Sequence, residues 1–321
     1  MKNFLYTCNS NYFNYMYISI YSLLENNSFP ITIHIIEFGF TNEQISKLEN
    51  LFDLYPNASL KLYPFSLLKD RIDMISLPKW RGTDIANARL FAREILGVNK
   101  VLYIDSDTIV DSSLENVFGN MGNPVSAVRE LVIPNHMKSY LDEYYNSGVL
   151  LFDYKLWDKF DCDKLLFDAK KDIKSRLIYP DQDLLNLALY GNIGALAPKY
   201  NVYPLVYNMI RKYPKLTKRY FGQHDNFYEY DELMDSYSNP CIYHLIDYVR
   251  SRPWIENRVH PFNDIYECYM SNSDIGIDKI KSTSRLSSIE ILSLITILLQ
   301  ISFPEEYDVK GKIRKILYPK R

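Results

Sequence analysis

Asp105 and Asp107 close an apolar run, Val101-Leu102-Tyr103-Ile104-Asp105-Ser106-Asp107. Side chains alternate along an extended strand, so the two carboxylates project to one side and Ser106 to the other. Ligands of open α/β sheets gather outside the carboxyl ends of strands. Two oxygen anions at such a place suit a hard divalent cation, and such a cation commonly carries phosphate. The tripeptide therefore predicts a metal–diphosphate site. A strand that merely ends in an acidic turn has the same local pattern, so other segments have to decide between the two.

The elements that must position these carboxylates alternate in type. Residues 4–8, 31–38, 60–63 and 100–104 read as strands, the second of them rich in β-branched side chains. Between them, residues 12–25 are apolar on a helical period, and Thr41 with Gln44 has the spacing of a capping box that opens another helix. Residues 84–96 read as a third helix. Strands alternating with helices predict an α/β fold around a mixed, mainly parallel sheet with right-handed connections. Further along, residues 148–152 and 241–244 read as strands. Residues 181–190 read as a helix with Asp181 and Asp183 in its first turn, where negative charge is favourable. No repeat or low-complexity linker interrupts the chain, and the expected division is a catalytic domain over 1–263 and a helical, basic tail over 264–321.

Several short segments join the Asp-x-Asp: Thr7-Cys8-Asn9-Ser10-Asn11-Tyr12, Ala88-Arg89-Leu90, Tyr145-Asn146-Ser147-Gly148, Tyr179-Pro180-Asp181-Gln182-Asp183, and His244 followed by Arg252-Pro253-Trp254. In this order the set resembles the family 8 glycosyltransferases, which include glycogenin and bacterial galactosyl- and glucosyltransferases of surface glycans. The resemblance runs from Asn3 to about Trp254. It implies a GT-A fold, a UDP-linked sugar as donor, Mn²⁺ (or Mg²⁺) as cofactor and transfer of a hexose with retained anomeric configuration. By position it implies Asp105, Asp107 and His244 as metal ligands. It places Thr7, Asn9, Asn11 and Tyr12 at uracil and ribose, Arg89 near the diphosphate and sugar, and Asn146 with Gly148 beside the sugar. Asp181 and Gln182 face the sugar ring, and Ser106, Asp247 and Arg252 complete the donor-binding set. An amide near the anomeric carbon supports the positive charge of an oxocarbenium-like transition state.

Two departures stand out. The family more often has aspartate where this chain has Asn9. Its loop His-x-x-Gly-x-x-Lys-Pro-Trp is here two residues longer, with Asp247 at the glycine position, Arg252 for the lysine and Arg250 as a competing cation. Arginine still contacts phosphate, with more directional bonds.

Net charge is −2, from 37 basic and 39 acidic residues, which gives no support to nucleic acid as a partner. The four cysteines are too few and too scattered for a disulfide framework, and Asn9, Asn11 and Asn14 interrupt the apolar start, unlike a signal peptide. A cytoplasmic protein is expected. In the tail, the apolar run to Phe303 is too short and interrupted to span a membrane, while residues 310–321 hold six cations and no acid. That end predicts docking on the anionic inner face of the cell membrane, near a glycan acceptor that is a surface-polysaccharide, lipopolysaccharide or glycoprotein precursor. The competing readings are a non-catalytic sugar-nucleotide binder or scaffold, a self-glucosylating primer like glycogenin, and a phosphatase of the haloacid-dehalogenase type, which also ends a strand in Asp-x-Asp.

Overall fold

The computed structural model describes residues 1–119, 122–131, 133–173, 177–212, 215, 227–247, 251–256 and 260–276. Nine strands are present among them: β1 (Lys2–Asn9), β2 (Ile31–Phe38), β3 (Ala58–Pro64), β4 (Lys100–Ile104), β5 (Thr108–Val110), β6 (Val125–Arg129), β7 (Tyr145–Asp153), β8 (Ile193–Ala195) and β9 (Ile242–His244). Seven form one sheet in the order β3-β2-β1-β4-β7-β6-β8, and β5 pairs with β9 separately. The β3-β2-β1-β4 half is parallel, β7 runs antiparallel to both β4 and β6, and β8 is parallel to β6. The sheet is therefore mixed and mainly parallel, as expected.

Alternation along the central strands feeds two cores. Phe4, Tyr6, Ile31, Ile33, Ile35, Leu102 and Ile104 point to one face, where the helix Phe13–Glu25 packs. Leu5, Ile36, Val101 and Tyr103 point to the other, against Trp157, Leu166, Leu184 and Leu185. Burial on both faces explains why these strands read as near-continuous apolar runs. The helix Asn42–Asp53 begins in the expected capping box: Gln44 N–H donates to Thr41 Oγ1 at 3.2 Å and Thr41 N–H to Gln44 Oε1 at 3.0 Å.

Two expectations change. Residues 84–96 do not form one helix; a 3₁₀ segment, Ile85–Leu90, is followed by a single α turn, Arg93–Leu96. Residues 87–90 are all buried, so no single helical face is selected, and the tighter winding wedges the segment beside β1. Past residue 263, the helix Asn263–Asn272 packs on the helix Phe13–Glu25, with Tyr266 and Ile275 in the same core, so the folded body reaches at least Ile275. The apolar run ending at Phe303 and the basic segment 310–321 lie outside the described residues. Among the described residues no helix is long and apolar enough to cross a membrane.

Candidate active site

The Asp-x-Asp sits where β4 leaves the sheet. Asp105 N–H still donates to Gly148 O on β7 at 2.8 Å, which anchors the turn. The chain then enters β5, whose Thr108 pairs with His244 on β9. Leu245 N–H bonds back to Asp107 O at 2.7 Å. This small antiparallel ladder, not the main sheet, brings His244 to the carboxylates. Its Nε2 lies 3.6 Å from Asp105 Oδ2 and 3.5 Å from Asp107 Oδ1. One ligand atom from each residue falls within a 4.8 Å group. Two carboxylates and an imidazole at these separations could hold a divalent metal ion that accepts mixed oxygen and nitrogen donors. Ser106 turns the other way, its hydroxyl toward Thr7 O at 3.4 Å.

Two buried arginines flank the cluster. Arg89 Nη1 donates to Asp105 Oδ1 at 3.0 Å and to Ser147 O at 2.7 Å, and its guanidinium lies 4.4 Å from the centre of the Tyr103 ring. Its Nε lies 3.2 Å from Asp181 Oδ2 but directs its hydrogen to Ala86 O, so that buried oxygen accepts no hydrogen bond. Arg252 donates to Asp107 Oδ2 and, through Nε, to Asp247 Oδ1 at 2.6 Å. Burial and the neighbouring Asp107 charge raise the Asp105 pKa, against the pull of Arg89. For Asp107 burial acts in the same sense, but Arg252 and His244 outweigh it and hold the carboxyl well below the usual range. The two carboxyls are thus shifted in opposite directions.

The remaining predicted residues come from β7 and the helix Pro180–Ala188. Gln182 Oε1 accepts from Ser147 N–H at 2.9 Å, and Gln182 Nε2 donates to Tyr144 OH at 3.1 Å. Tyr144 in turn donates to Asp183 Oδ1. Asp183, fully buried, also accepts from Ile178 N–H at 2.8 Å and Tyr179 N–H at 2.9 Å and faces His136 Nε2 at 2.9 Å. Gly148 has a packing reason of its own. A Cβ there would stand 2.2 Å from His244 Cε1, so only glycine leaves room for the imidazole. Asp247 lines the site, but both oxygens are engaged, by Arg252 and by Arg81 Nη2 at 2.6 Å.

Two adjoining cavities receive all fifteen predicted residues. The larger, about 480 Å³, is lined by Asn146, Gly148, Asp181, Gln182, His244 and Asp247, among others. The smaller, about 320 Å³, is lined by Thr7, Asn9, Asn11, Tyr12 and Ser106. Asp105, Asp107, Arg89 and Arg252 form the wall common to both. Trp80 and Arg81 also line both, and Glu130 lines the larger. Sequence reasoning missed these three, along with Asn201, Tyr144 and the buried role of Asp183. Trp80 and Arg81 lie on a tight turn with no periodic pattern, and Arg81 itself has φ +49°. Asp183 did carry a signal, as a second carboxylate in the first turn of its helix.

Such a mixed α/β sheet, with a carboxylate–imidazole cluster at the end of β4, defines a GT-A-type glycosyltransferase fold. The chain belongs to glycosyl transferase family 8, whose family model matches residues 3–224. A lipopolysaccharide 1,2-glucosyltransferase of Escherichia coli is 27% identical over 257 residues, 74% of each chain. A putative glycosyltransferase of Haemophilus influenzae is 25% identical over 226 residues, 65% of this chain and 66% of that one. Among solved structures, the galactosyltransferase LgtC with donor and acceptor sugar analogs aligns at a TM-score of 0.66 and 21% identity, covering 86% of this chain and 97% of that one. The bifunctional glycosyltransferase WbbM aligns at 0.67 and 22%, over 85% of this chain but only 50% of its own.

Proposed function

We propose that the protein transfers a hexose, glucose or galactose, from a UDP-sugar to a glycan acceptor with retention of configuration. The observation that carries this reading is the shared wall: metal-type ligands and two arginines lie between a cavity suited to a nucleoside and one suited to a sugar. The activities named for the relatives, lipopolysaccharide 1,2-glucosyl transfer and galactosyl transfer, support the substrate class.

Asp105, Asp107 and His244 would hold the cation, which when bound supplies Lewis-acid neutralisation of the departing diphosphate. Arg89 and Arg252 add fixed positive charge on the same wall. Thr7, Asn9, Asn11 and Tyr12 would take the uridine. Asp181 lines the larger cavity, with Oδ2 held 3.2 Å from Arg89 Nε, and would face the sugar from that wall. Gln182, held by Ser147 and Tyr144, would support developing positive charge on the sugar. With an amide at this position a covalent glycosyl-enzyme is hard to draw, and same-face attack by the acceptor, with the diphosphate taking its proton, fits better. Sugar trapped covalently on Asp181 in an acceptor-starved reaction would refute that route.

The acceptor reading is a surface-polysaccharide, lipopolysaccharide or glycoprotein precursor, and the basic segment 310–321 is proposed to dock on anionic membrane. The decisive experiment is a donor-hydrolysis panel of UDP-galactose, UDP-glucose and their N-acetylated forms with Mn²⁺. Turnover of one hexose donor, lost on chelation, is expected. No turnover of any donor, with UDP still bound, would favour a non-catalytic binder.

A further inference from the structure

A chain of hydrogen bonds with fixed polarity runs through the buried floor beneath the larger cavity. It starts at a group whose role cannot invert, the backbone N–H of Gly148, which donates to Asn146 Oδ1 at 2.8 Å. That fixes the Asn146 amide, so its Nδ2 faces Glu130 Oε1 at 2.8 Å. Asn146 Oδ1 is an acceptor, so the group of Asn201 that meets it at 2.9 Å must be its NH₂. Asn201 Oδ1 then faces His244 Nδ1 at 2.9 Å and can only accept. Asn201 is fully buried, so water is not available to rewrite these roles. Its position has a backbone cause. Val202 N–H bonds to Ile242 O at 2.9 Å and His244 N–H to Val202 O at 3.0 Å, which lays the 201–202 segment along β9.

From this polarity we infer that Asn201 is a positioning residue for the proposed metal centre: it holds the His244 proton on Nδ1 and so leaves the Nε2 lone pair free for a cation shared with Asp105 and Asp107. The inference rests on the proposed metal site and assigns that site its outer support. A histidine ligand is oriented by the acceptor on its other nitrogen, and losing that acceptor commonly weakens metal binding by about 10- to 100-fold. The same chain passes through Asn146 on the wall of the larger cavity, so occupancy there and the orientation of His244 share one network.

The test has two readouts. In metal-free wild-type protein with ¹⁵N-labelled histidine, at a pH where the ring is neutral, long-range ¹H–¹⁵N spectra should show His244 as the Nδ1–H tautomer. The Nε2–H tautomer would overturn the inference outright. Mn²⁺ binding is then followed by the loss of the free-ion paramagnetic resonance signal, with and without UDP. Asn201→Leu should weaken Mn²⁺ binding by about tenfold or more. Asn201→Asp keeps an acceptor for Nδ1–H while losing the donation to Asn146, and should bind Mn²⁺ close to wild type. Unchanged Mn²⁺ binding in folded Asn201→Leu, or an equal loss in both variants, overturns the inference. Wild-type protein that binds no Mn²⁺ removes the metal reading instead, and the tautomer still decides the role of Asn201.

Discussion

On the proposed nucleotide side, Asn9, Asn11 and Tyr12 come from one short stretch where β1 gives way to a 3₁₀ turn. Asn9 Oδ1 caps that turn through Tyr12 N–H at 3.1 Å, and Tyr12 meets Tyr15 and Trp254 edge-on at 4.9 and 6.4 Å. On the proposed sugar side, the polar groups come from five separate segments and are bonded to one another before any ligand arrives. Glu130 takes Asn146, Asn146 takes Asn201, Asn201 takes His244, and Gln182 is gripped by Ser147 and Tyr144. The first side offers binding surface. The second is preorganised, the arrangement that stabilises charge appearing only in a transition state. Substitutions on the two sides should therefore separate affinity from turnover.

The largest effect is expected on the common wall. Asp107→Asn keeps the shape and removes the charge that both Arg252 and the proposed metal site depend on. Metal-dependent UDP binding should disappear and donor hydrolysis should fall by about a hundredfold or more, since a Lewis-acid contribution is worth several kcal/mol. Wild-type activity in Mn²⁺ would end the metal assignment. Next comes the sugar side. Gln182→Ala should lower turnover by roughly a hundredfold while donor KM changes little. Tyr144→Phe, which removes the partner of the Gln182 amide nitrogen while Ser147 N–H still holds its oxygen, should lose only about tenfold in kcat. Equal losses of donor affinity in these variants would make the sugar side a plain binding surface.

The nucleotide side should answer in the opposite sense. Tyr12→Ala should raise donor KM by about tenfold, in line with about 1–3 kcal/mol for aromatic stacking on a base, and leave kcat near wild type. A fall in kcat with KM unchanged would erase the contrast between the two sides.

The smallest effect is acid sensitivity. Burial lowers both His34 and His260 from an ordinary 6.5 to about 4. Because the folded values lie below the unfolded ones, the neutral rings contribute fully above pH 6.5, and that contribution is lost as pH falls through 4. His34 joins Asn3 and Tyr63 in the β1–β2–β3 edge, while His260 reaches the backbone oxygen of Ile246, a residue that lines the larger cavity. Urea midpoints should be flat above pH 6.5 and decline toward pH 4, and His34→Gln should remove part of that decline. An unchanged profile would mean that His34 titrates normally.

Local pattern settled a good deal of this protein. The apolar run into Asp105 and Asp107, the capping box at Thr41 and the ordered series of short motifs depend on neighbours within a few residues. The fold class, the family and many of the residues that line the two cavities could therefore be read without coordinates, though Trp80, Arg81 and Glu130 could not. The basis for His244 was weaker: a lone histidine has no local signature of a ligand, and only the β5–β9 pairing sets it beside Asp107. For Gly148 likewise, only the packing shows the imidazole against it. Glu130 and Asn201 were beyond any local rule, and Asp183 showed only as a carboxylate in the first turn of its helix. Their importance lies in which polar atom faces which across 16 to 55 residues of sequence. Hydrogen-bond polarity of that kind exists only once the tertiary fold has excluded water and brought donors and acceptors into contact.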